Sequence, residues 1–222
     1  MRFFDLICSG IAIFLLLPML LLVVIVLRMT GEGEIFYRQR RVGLGKVEFN
    51  ILKFATMVKN SPNIGAGTIT LQNDPRVLPV GRVLRKTKIN ELPQLFNIIR
   101  GDMGIVGPRP LVPSGEANYS ADAARVIRSV RPGLTGMASL MLRDEEGFYS
   151  HREDAAEFYD NVISPYKQEV ELWYVRNRSF FLDVRIVVAT MAMVLQPSFD
   201  AGGWFQGAPQ MSDTLRGSYR AL

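Results

Sequence analysis

The pattern of polar and apolar positions begins with one long apolar segment. Residues 6–27 form a run of 22 positions without a charge, between Asp5 and Arg28. As an α-helix, this run extends about 33 Å, which is enough to cross a hydrocarbon core about 30 Å thick. No site of small residues for signal cleavage follows the run. We therefore predict a membrane helix that is retained in the mature protein.

Pro18 divides this apolar segment and leaves two interpretations open. Proline removes one hydrogen bond from a regular helix, but membrane helices tolerate it, so a kinked spanning helix is one interpretation. The other is a helix that enters the membrane, bends at Pro18 and returns, because the half 6–17 is only about 18 Å long. Arg2 and Arg28 flank both ends. A cytoplasmic C-terminal side is favoured by the basic residues that follow, Arg38, Arg40, Arg41 and Lys46.

The positions after residue 30 predict one hairpin followed by helices. Alternating side chains over 34–54 around a turn at 43–46 predict two paired strands. A polar loop is predicted over 59–75, and breaks rich in glycine and proline over 104–113 and 131–136. Helical periodicity marks the remaining stretches: 76–85, 91–100 closed by Gly101, 115–130, 153–177 with an interruption at Ser164-Pro165, and Phe180–Leu195.

The C-terminal part predicts one apolar helix and a tail. Phe180–Leu195 is too short to span a membrane comfortably, so we expect a buried or membrane-surface helix. Residues 196–222 hold four glycines and two prolines and predict a flexible tail with Trp204-Phe205 as an interfacial anchor. The predicted organisation is a membrane-embedded helix over 1–29, a folded domain over 30–195 and a tail over 196–222. The fold class is α/β, mostly helical, with a small β-hairpin.

Charge and rare residues restrict the chemistry. The 222 residues include 26 Lys and Arg against 21 Asp and Glu, a net charge of +5. This balance indicates an anionic partner: a membrane surface, a nucleic acid or a phosphorylated substrate. The single cysteine, Cys8, excludes a disulfide framework, and the single histidine, His151, excludes a clustered histidine metal site. A hydrolase with a Ser-His-Asp or Cys-His arrangement would depend on His151 alone.

A basic stretch followed by a carboxylate is the first candidate for chemistry. Its five basic residues fall within thirteen positions: Arg76, Arg82, Arg85, Lys86 and Lys88. Asn90-Glu91-Leu92-Pro93 then opens a predicted helix, whose N-terminus attracts phosphate. Glu91 there suits a diphosphate bridged by Mg²⁺, which prefers one or two carboxylates plus substrate phosphates. The alternatives are a solvated basic helix face, Asn90 as a plain N-cap and Glu91 as an acid that complements the helix dipole.

Two further arginines stand beside prolines. In Gly107-Pro108-Arg109-Pro110 the prolines fix the backbone, so that Arg109 can bind a phosphate or a uracil edge as a rigid fork. The alternative is an ordinary proline loop with a solvent-facing arginine. Arg131 before Pro132-Gly133 is a similar case. No Walker loop or dinucleotide fingerprint follows a predicted strand, so nucleotide binding of those kinds is not indicated.

Taken in order, several segments resemble the bacterial sugar transferase family, the monotopic phosphoglycosyl transferases. The resemblance covers residues 1 to about 195. It rests on the motifs Arg2-Phe3-Phe4-Asp5, 35–43, Lys53-Phe54, Asn73-Asp74-Pro75-Arg76, 81–85, Glu91-Leu92-Pro93-Gln94-Leu95, Gly101-Asp102-Met103, 106–110, 131–136 and 182–186.

This resemblance implies transfer of a sugar 1-phosphate from a UDP-sugar to a polyprenyl (undecaprenyl) phosphate, with release of UMP and Mg²⁺ as cofactor. It implies the cytoplasmic face of the bacterial inner membrane, where glycan assembly (exopolysaccharide, O-antigen or glycoprotein) is initiated. It also implies a re-entrant N-terminal helix broken at Pro18. Membrane lipids are further expected partners, and a homodimer is left open. Nucleic acid is not expected, because aromatic residues do not alternate with the basic stretch.

The resemblance also assigns residues. The family's catalytic pair is an Asp nucleophile, which carries the phosphosugar, followed by a Glu that acts with the metal. Glu91 matches that Glu, and Asn90 stands at the position of the Asp. An amide is a poor nucleophile, so an aspartyl-phosphate cannot form at residue 90. The expected site therefore has Glu91 and Asn90 at the catalytic positions, Glu91 as metal ligand, and a substrate-binding set of Arg76, Arg82, Arg85, Lys88, Arg109 and Arg131.

Other departures from the family pattern keep two functions open. Ala55-Thr56 replaces the usual Arg-Ser, and Arg143-Asp144-Glu145-Glu146 replaces the commoner pattern after Gly136. The chain is then either an enzyme of altered or weakened chemistry, or a non-catalytic membrane-bound relative. The latter would bind lipid phosphate or nucleotide-sugar and regulate a partner transferase. Asp144-Glu145-Glu146 is either a solvated helix N-terminus or the source of a second metal ligand.

Overall fold

The computed structural model describes residues 2–30, 32–64, 74–116, 118–143, 145, 148, 152, 154–196, 199, 201–212 and 215. Asp144, Glu146, His151 and residues 65–73 of the predicted loop lie outside this part of the chain. The fold is mostly helical with small sheets, as predicted. In chain order its elements are α1 (Arg2–Met29), β1 (Phe36–Val42), β2 (Glu48–Phe54), α2 (Pro79–Lys86), α3 (Gln94–Arg100), β3 (Gly104–Val106), α4 (Pro113–Glu116), α5 (Ala121–Ile127), β4 (Gly133–Thr135), α6 (Met137–Met141), α7 (Ala155–Phe158), α8 (Ser164–Asn177) and α9 (Phe180–Leu195).

Helix α1 is one helix of 28 residues with Pro18 inside it. Among the described residues it is the helix that is long and apolar enough to cross a membrane by length and composition. Near its start, Arg2 donates hydrogen bonds to the carbonyls of Ile98 and Ile99 in the last turn of α3, and Asp5 accepts one from the backbone N–H of Ile105.

The other end of α1 contacts the same body of the protein. Leu20, Val23 and Leu27 pack in one cluster with Phe54 of β2 and Leu84 of α2. Leu27 is only 1% exposed. Both ends of α1 therefore lie against the same folded domain.

The predicted hairpin is confirmed. β1 and β2 are antiparallel, with Tyr37 opposite Lys53 and Arg41 opposite Phe49. Successive side chains of a strand point to opposite faces, so odd-numbered residues of both strands share one face. Ile51 on that face packs against Leu95 and Ile98 of α3. The face that carries Arg41 and Lys53 is therefore turned towards the interior.

Two short strands occur where the sequence predicts only breaks. β3 and β4 are parallel, with Gly104 opposite Gly133 and Val106 opposite Thr135. The backbones approach closely, since a Cβ at Gly133 would lie 2.1 Å from the backbone nitrogen of Gly107. Only glycine fits at position 133. The glycines of these two segments are also the reason that the sequence predicts loops there. The pair fixes the start of the Pro-Arg-Pro loop, residues 108–110.

Several helix boundaries differ from the predicted ones. The helix predicted over 76–85 begins at Pro79, and the one predicted over 91–100 begins at Gln94. Gly101, at φ +99°, ends α3 as predicted. The stretch 115–130 contains α4 and α5 instead of one helix.

The interruption predicted at Ser164-Pro165 is confirmed, because a new α-helix begins at Ser164. A π-helical turn, Tyr159–Ile163, joins α7 to α8, and Pro165 lies in the first turn of α8. A proline is tolerated there because the N–H it lacks has no partner to lose at a helix start, and the wider turn before it absorbs the mismatch.

The largest core cluster joins α6, α8 and α9. Its centre is formed by fully buried residues, Met137, Val170, Tyr174, Ile186 and Ala189. Phe205 and Leu215, each 1% exposed, belong to it as well. This packing differs from the flexible tail expected after residue 195, and it excludes Phe205 as an interfacial anchor. The boundaries drawn at residues 29 and 195 stay predictions.

Helix α9 is buried on one side only. Ile186 and Ala189 are fully buried, whereas Phe181 is 78% and Leu195 82% exposed. Phe180, half exposed, makes an edge contact with the ring of Phe4, with ring centroids 5.8 Å apart. The exposed apolar side of α9 thus lies beside the start of α1.

Candidate active site

Asn90 and Glu91 lie in a tight turn between α2 and α3. The turn is a 3-10 helix, Ile89–Glu91, which follows Lys88 in the left-handed conformation at φ +58°. The N–H of Glu91 donates to the carbonyl of Lys88. Residue 93 takes the N-cap position of α3, so Asn90 is not the N-cap and Glu91 is not in the first turn of that helix. The plain capping interpretations of both residues are therefore wrong.

The carboxylate of Glu91 meets two cations from distant parts of the chain. Nζ of Lys53 lies 3.0 Å and Nη2 of Arg109 3.5 Å from Oε1 of Glu91. Lys53 comes from β2 and Arg109 from the Pro-Arg-Pro loop. The side chains of Glu91 and Lys53 are 17% and 16% exposed, which leaves this group open to solvent on one side.

The charges of this cluster are coupled. Burial alone would raise the pKa of Glu91, but the charges of Lys53 and Arg109 hold it well below its usual range. Burial lowers the pKa of Lys53 to about 8, against the opposing charge of Glu91. Burial, with the charge of Arg109, lowers the pKa of Arg41 to about 10. At neutral pH, Glu91 therefore pairs with two cations, the charge of Arg41 adds to theirs, and the cluster favours an anionic ligand.

A small cleft lies between the hairpin and the Pro-Arg-Pro loop. It is lined by Arg41, Ile51, Lys53, Gln94, Arg109, Pro110, Gly133 and Leu134. Among the described residues, Nε of Arg41 and Nε2 of Gln94 are buried and lack a hydrogen-bond partner, and so does Oδ1 of Asn90. Buried polar groups are rarely left unpaired in folded proteins. Phosphoryl oxygens would accept from the two donors.

The donor set fits Mg²⁺ only together with a phosphorylated substrate. The described residues contain no group of three or more His, Cys, Asp or Glu able to hold a metal. Glu91 and the unpaired Oδ1 of Asn90 supply two oxygen donors. Mg²⁺ is commonly held by one or two protein oxygens plus substrate phosphates and water.

The Pro-Arg-Pro loop is held on three backbone atoms. The carbonyl of Pro108 accepts from the N–H of Gly133 at 2.9 Å, and the carbonyl of Pro110 accepts from Nη1 of Arg41 at 2.9 Å. The N–H of Arg109 donates to Oε1 of Glu171 in α8 at 3.0 Å. The side chain of Arg109 is 38% exposed but pairs with Glu91, so it is not the unpartnered, solvent-facing arginine that the sequence left as an alternative.

Of the six arginines and lysines predicted to bind substrate, the structure brings Arg109 to Glu91. Lys88 is exposed, and its charge contributes to the lowered pKa of Glu91. Arg82 is exposed and Arg85 half-buried on α2. Arg131 is exposed and donates to the carbonyl of Gly101 at the end of α3.

Arg76 lies elsewhere in the molecule. It is 5% exposed, pairs with the buried Asp74 and donates to the carbonyls of Ser61 and Ile64. These contacts hold the loop before α2, and none of them reaches the Glu91 cluster.

Sequence reasoning missed Lys53, Arg41 and Glu171 as site residues. The sequence did contain a signal for Lys53. It is two residues after Ile51 and four after Phe49 in the same strand, so its side chain lies on the apolar face of the hairpin. Arg41 follows the same alternation on the paired strand. No comparable pattern marks Glu171.

Comparison with known proteins identifies the family of this chain. The model of the bacterial sugar transferase family matches residues 1–197. The exopolysaccharide production protein ExoY of Rhizobium meliloti is 35% identical over 207 residues, which cover 87% of this chain and 84% of that protein. An undecaprenyl-phosphate glucose phosphotransferase of Komagataeibacter xylinus is 34% identical over 195 residues, 86% of this chain and 35% of the longer relative.

A third relative is a UDP-N-acetylgalactosamine-undecaprenyl-phosphate N-acetylgalactosaminephosphotransferase of Aeromonas hydrophila. It is 35% identical over 196 residues, which cover 87% of this chain and 43% of that protein. The family match extends over most of the chain, and it includes the hairpin, the Glu91 turn and the Pro-Arg-Pro loop. The chain therefore belongs to the bacterial sugar transferase family of phosphoglycosyl transferases.

Proposed function

We propose that this chain transfers a sugar 1-phosphate from a UDP-sugar to undecaprenyl phosphate and releases UMP. The observation that carries the proposal is the carboxylate of Glu91 held by Lys53 and Arg109 beside a cationic cleft. Lys53, Arg109 and Arg41 place positive charge at this cleft, which suits the negatively charged diphosphate of a UDP-sugar. The names of the relatives from K. xylinus and A. hydrophila support undecaprenyl phosphate as acceptor.

The cleft residues divide the work of phosphoryl transfer. Arg109, Arg41 and Lys53 bind the diphosphate and stabilise the negative charge that grows on the UMP phosphate as it leaves. Glu91 holds Lys53 and Arg109 in place through its carboxylate. Glu91 and Oδ1 of Asn90 would hold Mg²⁺, which supplies further neutralisation of the phosphoryl charge when bound.

Residue 90 does not carry the phosphosugar in this proposal, because an amide cannot form the covalent intermediate. An oxygen of undecaprenyl phosphate then attacks the β-phosphorus directly, or the carboxylate of Glu91 attacks first. In either route the bond between the β-phosphorus and the bridging oxygen breaks, and UMP departs with that oxygen. In the second route, an oxygen of undecaprenyl phosphate then attacks the same phosphorus, and the bond to Glu91 breaks and frees the carboxylate. Labelled UDP-sugar distinguishes the two routes, because only attack by Glu91 leaves a labelled phosphosugar on the enzyme.

The proposed setting is the cytoplasmic face of the inner membrane, with α1 as a re-entrant helix. Support comes from the contacts of Arg2 and Asp5 with the region of α3 and β3, and of Leu27 with the cluster around Phe54. A spanning helix that leaves the domain on one side would lose one of these two sets of contacts. The exposed apolar side of α9, joined to α1 through Phe4 and Phe180, would then rest on the lipid surface.

The deciding experiment uses the full chain in detergent with undecaprenyl phosphate, Mg²⁺ and a panel of UDP-sugars. We expect UMP release with at least one sugar, dependent on the lipid phosphate. Release that is equal without lipid would indicate hydrolysis and contradict the proposal.

The second candidate function is a non-catalytic, membrane-bound protein that binds nucleotide-sugar or lipid phosphate and regulates a partner transferase. Asn90 is the observation that favours it, since the amide removes the expected nucleophile. UDP binding without UMP release from any sugar would support this function over the first.

A further inference from the structure

The Pro-Arg-Pro loop offers one backbone donor, and a buried carboxylate takes it. Pro108 and Pro110 have no N–H, so the N–H of Arg109 is the single backbone donor of the tripeptide. It donates to Oε1 of Glu171 at 3.0 Å. The carbonyls of Pro108 and Pro110 are held by Gly133 and Arg41 on the other side. The loop therefore lies between the hairpin and strands on one side and α8 on the other.

Glu171 lies behind the cleft rather than in it. It is 2% exposed, and it does not line the cleft that Arg109 lines. Its neighbour on α8, Lys167, pairs with Glu145 at 2.6 Å and also contacts the hydroxyl of Tyr159. Oε2 of Glu171 has no hydrogen-bond partner among the described residues. Burial raises the pKa of Glu171 to about 7, whereas the hydrogen bond from the N–H of Arg109 and the charges of Lys167 and Arg109 favour the ionised form. The contact with Arg109 therefore stabilises the carboxylate in this buried position.

Arg109 links Glu171 to the site, because its N–H contacts Glu171 and its guanidinium contacts Glu91. The side chain of Arg109 is 38% exposed, its guanidinium lies 3.5 Å from the carboxylate of Glu91, and a long side chain of this kind has many rotamers. Fixing its backbone reduces the freedom that must be lost when a phosphate is bound. A carboxylate is also a stronger acceptor for the N–H than a neutral oxygen.

We propose that Glu171 is a positioning residue, which fixes the backbone of Arg109 so that the guanidinium reaches Glu91 and a bound diphosphate. Glu171 does not touch the substrate, and its effect on binding passes through Arg109. The identity of the diphosphate rests on the proposed function, whereas the fixing of the loop does not.

The first test measures the loop without any ligand. Hydrogen exchange of the Arg109 amide can be resolved in a short peptide, because its proline neighbours contribute no amide. Glu171→Met should speed this exchange at least tenfold in the full chain, and Glu171→Gln, which keeps an acceptor oxygen, should restore most of the protection. Glu169→Met is the matched control, since Glu169 is exposed on the same helix. Unchanged exchange in a folded Glu171→Met protein would overturn the proposal.

The second test is a double-mutant cycle read by UDP binding in the presence of Mg²⁺. Glu171→Met should weaken UDP binding about tenfold, the scale of one lost hydrogen bond to a charged group. In an Arg109→Ala background the same substitution should have no further effect. An equal loss in both backgrounds would show a general structural role and overturn the proposal.

The tests also decide the proposal if the variant does not fold or if the native chain is inactive. If Glu171→Met fails to fold, Glu171→Asp replaces it in both tests. The shorter aspartate keeps the charge but withdraws the oxygen from the N–H of Arg109. If Glu171→Asp retains the protection of the Arg109 amide and the affinity for UDP, the proposal is overturned. If the native chain binds no UDP and releases no UMP, the proposed function fails, and the exchange measurement still decides the role of Glu171.

Discussion

Nζ of Lys53 lies 3.0 Å from Oε1 of Glu91, which joins the inner face of the hairpin to the turn before α3. This ion pair explains how a buried carboxylate stays ionised in the site. It also means that Glu91 cannot be changed without affecting the lysine, because each holds the other's charge.

Glu91→Gln should lower the turnover of UDP-sugar more than about 100-fold, because a positioned charged group of this kind contributes at least that much. The amide keeps the size of the side chain but no longer balances Lys53 and Arg109. The measurement is UMP release, with circular dichroism as the check on folding. Glu48→Gln, at an exposed pair with Arg40, is the control and should retain activity. Near-normal turnover in Glu91→Gln would remove Glu91 from the site.

Asn90→Asp should create a covalent route. Asn90 is 6% exposed and nearly isosteric with Asp, so packing is preserved. The cations around Glu91 would keep the new carboxylate ionised. We expect a phosphosugar-enzyme adduct at residue 90 from labelled UDP-sugar in the variant and none there in the native chain. Asn50→Asp, on the exposed face of the hairpin, controls for added charge. An active native chain unaffected by Asn90→Asp would show that residue 90 is not the nucleophile position.

Lys53 should set the alkaline limit of activity. Its pKa is lowered to about 8 by burial, so the ammonium is charged below that pH and loses its charge above it. Because the charge binds diphosphate, kcat/KM for UDP-sugar should fall as pH rises through about 8. Lys53→Arg should move this limit upward, since a guanidinium stays protonated there. Lys59→Arg, at an exposed pair with Glu34, should leave the limit in place. An unmoved limit in Lys53→Arg would exclude Lys53 as its cause.

Both ends of α1 should be accessible from the cytoplasm. Phe3 is 78% exposed and Thr30 is exposed, so cysteines at these positions, in a Cys8→Ser background, can be labelled with a membrane-impermeant reagent. We expect labelling of both in inside-out vesicles and of neither in intact cells. Labelling of the two positions from opposite sides would restore the spanning helix.

Arg76→Ala should destabilise the fold rather than act through the site. The pair of Arg76 and Asp74 is buried, and removal of one partner leaves an uncompensated charge, at a cost of about 3 kcal/mol or more. Arg82→Ala, on the exposed side of α2, should change stability by less than about 0.5 kcal/mol. Urea unfolding of the detergent-solubilised proteins compares the two. Equal stabilities would contradict a structural role for the pair of Arg76 and Asp74.

Local sequence patterns predicted the elements that depend on local physics. The alternation over 34–54 predicted the hairpin, and Gly101 predicted the end of α3. Local patterns did not predict the elements whose structure depends on tertiary contacts. β3 and β4 are only three residues each and are rich in glycine, so nothing short of their mutual pairing marks them as strands. Phe205 and Leu215 lie in a segment of low apolar density and become part of the core only because α6, α8 and α9 leave room for them.

By itself, the sequence determined that residues 6–27 form an apolar segment of membrane length, that the family motifs run in order, and that Asn90 precedes Glu91 where an acid is expected. These are properties of composition, spacing and residue identity. The tertiary structure alone decided which cations surround Glu91. Charges act over a few ångströms, and Lys53 and Arg109 are each brought within 3.5 Å of Glu91 only by packing of the hairpin, the turn and the loop.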